Sequence, residues 1–238
     1  MHDEQTKEHL PASASGRAGD NVRFTILQFP YVSRNTDFEP LFMDPQVEVR
    51  FARLTHAWGN PDAILIPGGS RTADAMRFMN RCGAARRLRD HVANGGVIFG
   101  ICGGYQMLGQ SFYDPQGIDG RTKFVQGLDL LPVVTRFSPQ KLACTTTMTC
   151  LLPEMAGVSV QGREGRYGRS QVLPHNGNFL DLHQVVSRTD HEVREEEGLK
   201  DGLVTADRRV WGTYLHRIFE NAAWNDKFFT FLRRRRPH

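Results

Sequence analysis

Apolar runs and amphipathic stretches alternate along the first half of this chain. Residues 22–28, 47–54 and 63–67 read as strands, the third running into a glycine loop. Residues 72–79 and 84–93 carry helical patterning, bounded by Gly83 and by Gly95-Gly96. A further apolar run, 97–101, reads as a buried strand. Strands alternating with helices predict an α/β fold: a doubly wound, mostly parallel sheet flanked by helices, with its site at the carboxyl ends of the strands. After about residue 125 the pattern shifts to shorter strands and turns, at 130–137, 144–151 and 158–161. The charged stretch 188–201 reads as an exposed loop. Residues 210–214 form a last predicted strand, and 224–232 an amphipathic C-terminal helix.

The 97–101 run ends on the most informative residue of the chain. Gly100-Ile101-Cys102-Gly103-Gly104 has the G-x-C-x-G form of a nucleophile elbow, and Tyr105-Gln106-Met107-Leu108 reads as the start of a helix. A sharp strand-to-helix turn pushes the cysteine side chain out at the sheet edge, and the glycines permit the tight backbone. The positive end of the helix dipole faces the sulfur, a setting that favours a nucleophilic thiolate. The amides just beyond the cysteine are free to bind a developing oxyanion.

Composition narrows the setting. At 238 residues and 39% hydrophobic content, one sizeable core is affordable. Residues 1–20 are polar and are expected to be a disordered tail before a single domain at 21–238. No apolar run reaches the roughly 18 residues of a membrane span, and the N-terminus lacks the apolar centre of a signal peptide. Cys82, Cys102, Cys144 and Cys150 fit neither a zinc nor a disulfide framework, so a reducing cytoplasm and no metal are expected. The net charge of +4 owes much to the terminal Arg233–Arg236 run, which reads as a solvated helix end. Basic residues are not interleaved with aromatics, which argues against a nucleic-acid role.

The motif Gly100–Gly109 resembles the active-cysteine segment of class I glutamine amidotransferases, a flavodoxin-like fold. Its Tyr-Gln-Met-Leu-Gly ending is similar to the branch that includes cobyric acid synthase and the glutaminase subunit that amidates lipid II. Asn35-Thr36-Asp37-Phe38-Glu39-Pro40-Leu41, the Ile64–Ser70 loop and Gly212-Thr213-Tyr214-Leu215-His216 resemble further family segments in the family's order, together covering about residues 22–232. The resemblance implies a glutaminase that releases ammonia through a thioester. Cys102 would be the nucleophile and His216 its base, later the acid toward ammonia. Gly69 and Gly103 would form the oxyanion hole. Gln106 would line the glutamine pocket, and Lys141 would take the substrate's α-carboxylate.

Some members carry a glutamate two positions after this histidine; here Ile218 stands there. A Cys–His dyad is therefore expected, with Glu164 as a possible third residue. Arg166 and Arg217 replace a histidine and a glycine of the family pattern and place positive charge near the expected site. The chain lacks a G-x-x-x-x-G-K-[ST] phosphate loop, so ATP and Mg are expected in a partner ligase on another chain and no cofactor in this one. The leading expectation is a cobyric-acid-synthase-like amidotransferase serving corrinoid amidation. The alternatives are a lipid II-amidating subunit paired with a Mur-ligase-like partner, a non-catalytic regulatory protein, and a cysteine hydrolase of the same superfold.

Overall fold

The computed structural model describes residues 21–32, 35–189 and 198–236. The expected tail at 1–20 and residues 190–197 of the expected charged loop lie outside these. The elements run β1 (Val22–Gln28), α1 (Glu39–Met43), β2 (Val47–Arg53), β3 (Ala63–Ile66), α2 (Thr72–Arg81), α3 (Ala84–Ala93), β4 (Ile98–Ile101), α4 (Gly103–Leu108), β5 (Ser111–Tyr113) and β6 (Phe124–Gln126). They continue as β7 (Val133–Cys150), β8 (Ser159–Val172), β9 (Phe179–Thr189), β10 (Lys200–Thr205), β11 (Val210–Thr213) and α5 (Ala222–Arg234).

The sheet has the order β2-β1-β3-β4-β11-β10-β9-β7-β5-β6, with β8 paired to β7. Its central part, β2 to β11, is parallel throughout. β3, β4 and β11 are buried at every position, which is why they read as unbroken apolar runs rather than alternating ones. Beyond β11 the sheet turns antiparallel through β10, β9, β7 and β8.

This second half differs most from the sequence reading. The runs at 130–137 and 144–151 are parts of one strand, β7, which continues through Pro139-Gln140-Lys141 by a register shift between Phe137 and Leu142. An irregularity of that kind lets a strand carry a proline and two polar residues that read as a turn. β9 had no counterpart in the sequence reading. Lys200 and Asp201, expected in an exposed loop, open β10, and Asp201 is buried there. Its carboxylate accepts hydrogen bonds from Thr213 Oγ1 and the Tyr214 amide, which satisfies a charge that would otherwise be costly to bury.

An aromatic cluster anchors the C-terminal helix. Trp224, Phe228, Phe229 and Leu232 lie on one buried face of α5. Phe228 sits 5.5 Å from Phe99 and 5.3 Å from Trp211, ring centre to ring centre, and Phe229 lies 5.7 Å from Phe24. The terminal arginines are only partly a solvated helix end. Arg236 pairs with Asp62 at 2.5 Å, and Asp62 is 5% exposed. Burial pushes the Asp62 carboxyl up, but Arg236 and Arg23 together hold it below its ordinary value.

Candidate active site

Cys102 stands where β4 turns into α4. Its backbone takes φ 51° and ψ −105°, a left-handed conformation that costs a non-glycine residue free energy and is found mostly at functional positions. The turn is tight because α4 packs directly on β3. A Cβ at Gly104 would stand 2.0 Å from the Ile66 carbonyl oxygen, so only glycine fits. Cys102 is 7% exposed, and its sulfur lies 3.9 Å from the Gly165 carbonyl oxygen.

His216 reaches the same point from β11. Backbone hydrogen bonds in both directions with Arg163 of β8 fix its main chain, from Arg163 N–H at 3.2 Å and to Arg163 O at 2.8 Å. On one side the imidazole faces Cys102, which favours its protonated form. On the other, Nδ1 lies 2.8 Å from Asp37 Oδ2. Asp37 Oδ1 accepts the Arg217 amide at 3.0 Å, so both carboxylate oxygens are committed to the histidine turn. Burial alone would lower the His216 pKa, but the hydrogen bonds and charges of Asp37 and Cys102 reverse the sign and raise it to about 10. Gly68 makes room for this pair. A Cβ there would stand 3.0 Å from His216 Cε1 and 3.3 Å from Cys102 Cβ.

The sequence reading missed Asp37 as the residue beside the imidazole. Glu164 is instead buried behind the site, accepting from Thr146 at 3.0 Å, Arg166 at 3.1 Å and Arg188 at 2.7 Å. Arg217 also differs from expectation. Its backbone is left-handed, φ 66°, the conformation glycine adopts most readily, while its half-exposed side chain pairs with Glu220 at 2.9 Å. Its contribution to the site is therefore an amide proton rather than a charge. Arg166 does border the site, with its guanidinium 4.0 Å from the Tyr214 ring centre.

A cavity of about 370 Å³ opens over Cys102 and His216. Gly69 and Gly103 meet at its base, the Gly69 nitrogen standing 3.2 Å from where a Gly103 Cβ would be. Gln106 lies in the buried wall, where Nε2 donates to the Tyr214 hydroxyl at 3.1 Å. Lys141 lines the same cavity from the irregular segment of β7, near the Tyr167 ring. Asp119, also in the wall, accepts the Ala73 amide at 2.9 Å, and burial with Asp114 and Asp74 nearby raises its pKa to about 7. Cys102, His216, Gly69, Gly103, Gln106 and Lys141 thus surround one cavity, and Glu164 stands apart from it.

Residues 23–224 match the family of CobB/CobQ-like glutamine amidotransferase domains. The chain belongs to this family. It is 37% identical to the cobyric acid synthase of Crocosphaera subtropica over 217 residues, which is 90% of this chain and 42% of the relative. Against the cobyric acid synthase of Synechocystis sp. it is 36% identical over 223 residues, 93% of this chain and again 42% of the relative. The chain therefore spans less than half the length of these curated relatives. The structure of PurLQS from Thermotoga maritima superposes with a TM-score of 0.64 at 13% identity, covering 89% of this chain and 99% of that one. A crystal structure of a glutamine amidotransferase superposes at 0.63 and 14% identity, covering 88% and 98%. At such identities these two speak for the fold alone. The chain is thus a cobyric-acid-synthase-like glutamine amidotransferase domain, and glutamine is the substrate that family membership implies. Among the described residues, no helix is long and apolar enough to cross a membrane.

Proposed function

We propose that this domain hydrolyses L-glutamine through a thioester on Cys102 and hands the ammonia to an ATP-dependent amide ligase that amidates peripheral carboxylates of a corrinoid. The observation that carries the first half is the line Asp37–His216–Cys102 at the mouth of the elbow cavity. With the proton on His216, the Cys102 sulfur attacks the side-chain amide carbon. The oxyanion forms between the Gly69 and Gly103 amides. His216 then gives its proton to the departing nitrogen, the C–N bond breaks, and ammonia leaves. Water attacks the thioester, His216 takes a proton from it, and glutamate departs as the C–S bond opens. Asp37 holds Nδ1 so that the other ring nitrogen faces the sulfur through both half-reactions. Lys141 suits the substrate's α-carboxylate, and Gln106 with Tyr214 shapes the wall along its side chain.

The corrinoid acceptor is supported by the cobyric acid synthases among the relatives. Their greater length leaves room for an ATP-binding unit. We place that unit, with its Mg and ATP, on a ligase partner in the cytoplasm. The mechanism is tested by glutamate release with the ligase present and by stoichiometric labelling with diazo-oxo-norleucine. Cys102→Ala should abolish both, and His216→Ala should cut turnover by at least about a thousandfold. Wild-type turnover in either variant refutes the mechanism. Corrinoid amidation by the reconstituted pair, with ATP and Mg, tests the acceptor. Amidation of lipid II in its place would overturn that part.

A further inference from the structure

A second cavity, of about 380 Å³, lies on the other side of Arg166 from the elbow cavity, between β8, β9 and β10. Its volume falls within the range of small-molecule sites. Arg166, Arg169, Arg188 and Lys200 all line it. Three of these four cations have a carboxylate partner. Glu164 accepts from both Arg166 and Arg188, and Asp181 pairs with Lys200 at 2.6 Å. Asp201, in the floor, adds a third carboxylate that accepts from Thr213 and the Tyr214 amide, lies 3.9 Å from His183 and attracts Arg166, so three carboxylates face four cations.

Arg169 is different. Its guanidinium donates to the carbonyl oxygens of Gln140 and Arg166, and among the described residues no carboxylate pairs with it. Burial, followed by repulsion from Arg166, lowers its pKa, although Tyr214 and Glu164 pull the other way. Aliphatic side chains line the cavity among these cations: Leu142 pairs across from Arg166, Val172 follows Arg169 on β8, Val185 precedes Arg188 on β9, and Leu199 adjoins Lys200, with Val172 40% exposed. Surplus positive charge set among partly exposed aliphatic side chains selects for one ligand chemistry.

The geometry points to a binding site for an organic oxyanion, a carboxylate or phosphate carried on an apolar body, separate from the glutamine site. The anion meets the Arg169 guanidinium and the outer faces of Arg166 and Arg188. The body lies against Val172, Val185 and Leu199. Arg166 belongs to both cavities, so the bound anion sits one side chain away from the wall of the glutamine pocket. The site does not depend on glutaminase chemistry, and its test is one of binding alone.

Isothermal titration of the full chain with phenyl phosphate, benzoate and inorganic phosphate measures the site directly. At least one of the two aryl anions should bind saturably and more tightly than inorganic phosphate. The preferred head group then names the source as phosphate or carboxylate. Binding should persist in Cys102→Ala and in the presence of glutamine, and should weaken at least tenfold in Arg169→Gln. Val185→Trp, which fills the cavity while leaving every charge in place, should weaken it as much. Thermal melts identify any variant that fails to fold, and either of the two suffices for the test. Absence of saturable aryl-anion binding overturns the proposal. So does binding that a folded Arg169→Gln or Val185→Trp leaves unchanged, or binding that glutamine displaces.

Discussion

Replacing Asp37 by Asn removes one negative charge from behind His216 while keeping the side chain's shape. In the wild type the imidazole's pKa lies at about 10, against an ordinary 6.5. At about 1.4 kcal/mol per pH unit, the site favours the imidazolium by roughly 5 kcal/mol beyond the ordinary balance. Burial opposes that preference, so Asp37 and Cys102 supply it between them. A charge-assisted hydrogen bond such as the 2.8 Å contact from Nδ1 to Oδ2 contributes about 2–3 kcal/mol. Asp37→Asn should therefore lower kcat/KM for glutamine by about a hundredfold, mostly in kcat, because Asp37 does not line the glutamine cavity. Asp37→Ala should lose more, since it also strips the acceptor from the Arg217 amide. The pH dependence has a definite sign. The raised pKa contributes stability that is complete below about pH 6.5 and is lost as pH climbs through about 10. In Asp37→Asn, the alkaline limb of Cys102 alkylation by iodoacetamide should move down by more than one pH unit. Turnover within threefold of wild type, with that limb unmoved, would refute the argument that Asp37 holds the imidazolium.

Three further outcomes separate the machinery from its scaffold. Glu164→Gln should lower the melting temperature, by the equivalent of about 3 kcal/mol, because Arg166 and Arg188 lose their buried counter-ion; its pH–rate profile should match wild type, and a shifted profile would return Glu164 to the reaction. Gly104→Ala forces a methyl group against the Ile66 carbonyl and should destabilise the domain by at least about 1–3 kcal/mol with loss of Cys102 labelling, as read by denaturant titration and labelling stoichiometry; unchanged stability would contradict the packing of α4 on β3. Asp62→Asn should cost about 1–3 kcal/mol at neutral pH. Because the folded Asp62 pKa is lowered, its contribution is present above the ordinary carboxylate value and is lost as pH falls from there through the lower folded value, so wild type and variant should converge in acid melts.

The legible part of the fold is the part whose strands are buried on both faces. β1, β3, β4 and β11 announce themselves by unbroken or nearly unbroken apolar runs, and α2 and α3 by helical spacing between glycines. The antiparallel extension has weaker signals for a physical reason. β9 is mostly half-buried, so polar and apolar residues mix along it without a clean period. Pro139-Gln140-Lys141 carries turn chemistry inside β7 because an irregularity absorbs it. Asp201 looks exposed in the sequence and is buried in the structure, since its partners, Thr213 and Tyr214, arrive from a strand that follows it in the chain.

The same distinction governs the site. Cys102 is readable because everything that makes it a nucleophile is local: the strand before it, the glycines after it and the helix they begin. His216 is readable from its resemblance to a family segment at the end of a strand. Asp37 is not, although it lies within a segment that resembles the family, because its role exists only once the fold brings it against His216, 179 positions further along the chain. Glu164 misleads for the converse reason. It is suggested by its place in a segment, residues 163–168, that resembles the family, but β8 turns its carboxylate toward Arg166 and Arg188. Those two arginines, with Arg169, are themselves invisible as a cluster in the sequence, since they converge from β8 and β9 across β7. Chemistry carried by one turn of chain can be read from spacing, whereas chemistry assembled between distant strands needs the register of the sheet. The anion site proposed beside Arg166 belongs wholly to the second kind, which is why no motif marks it.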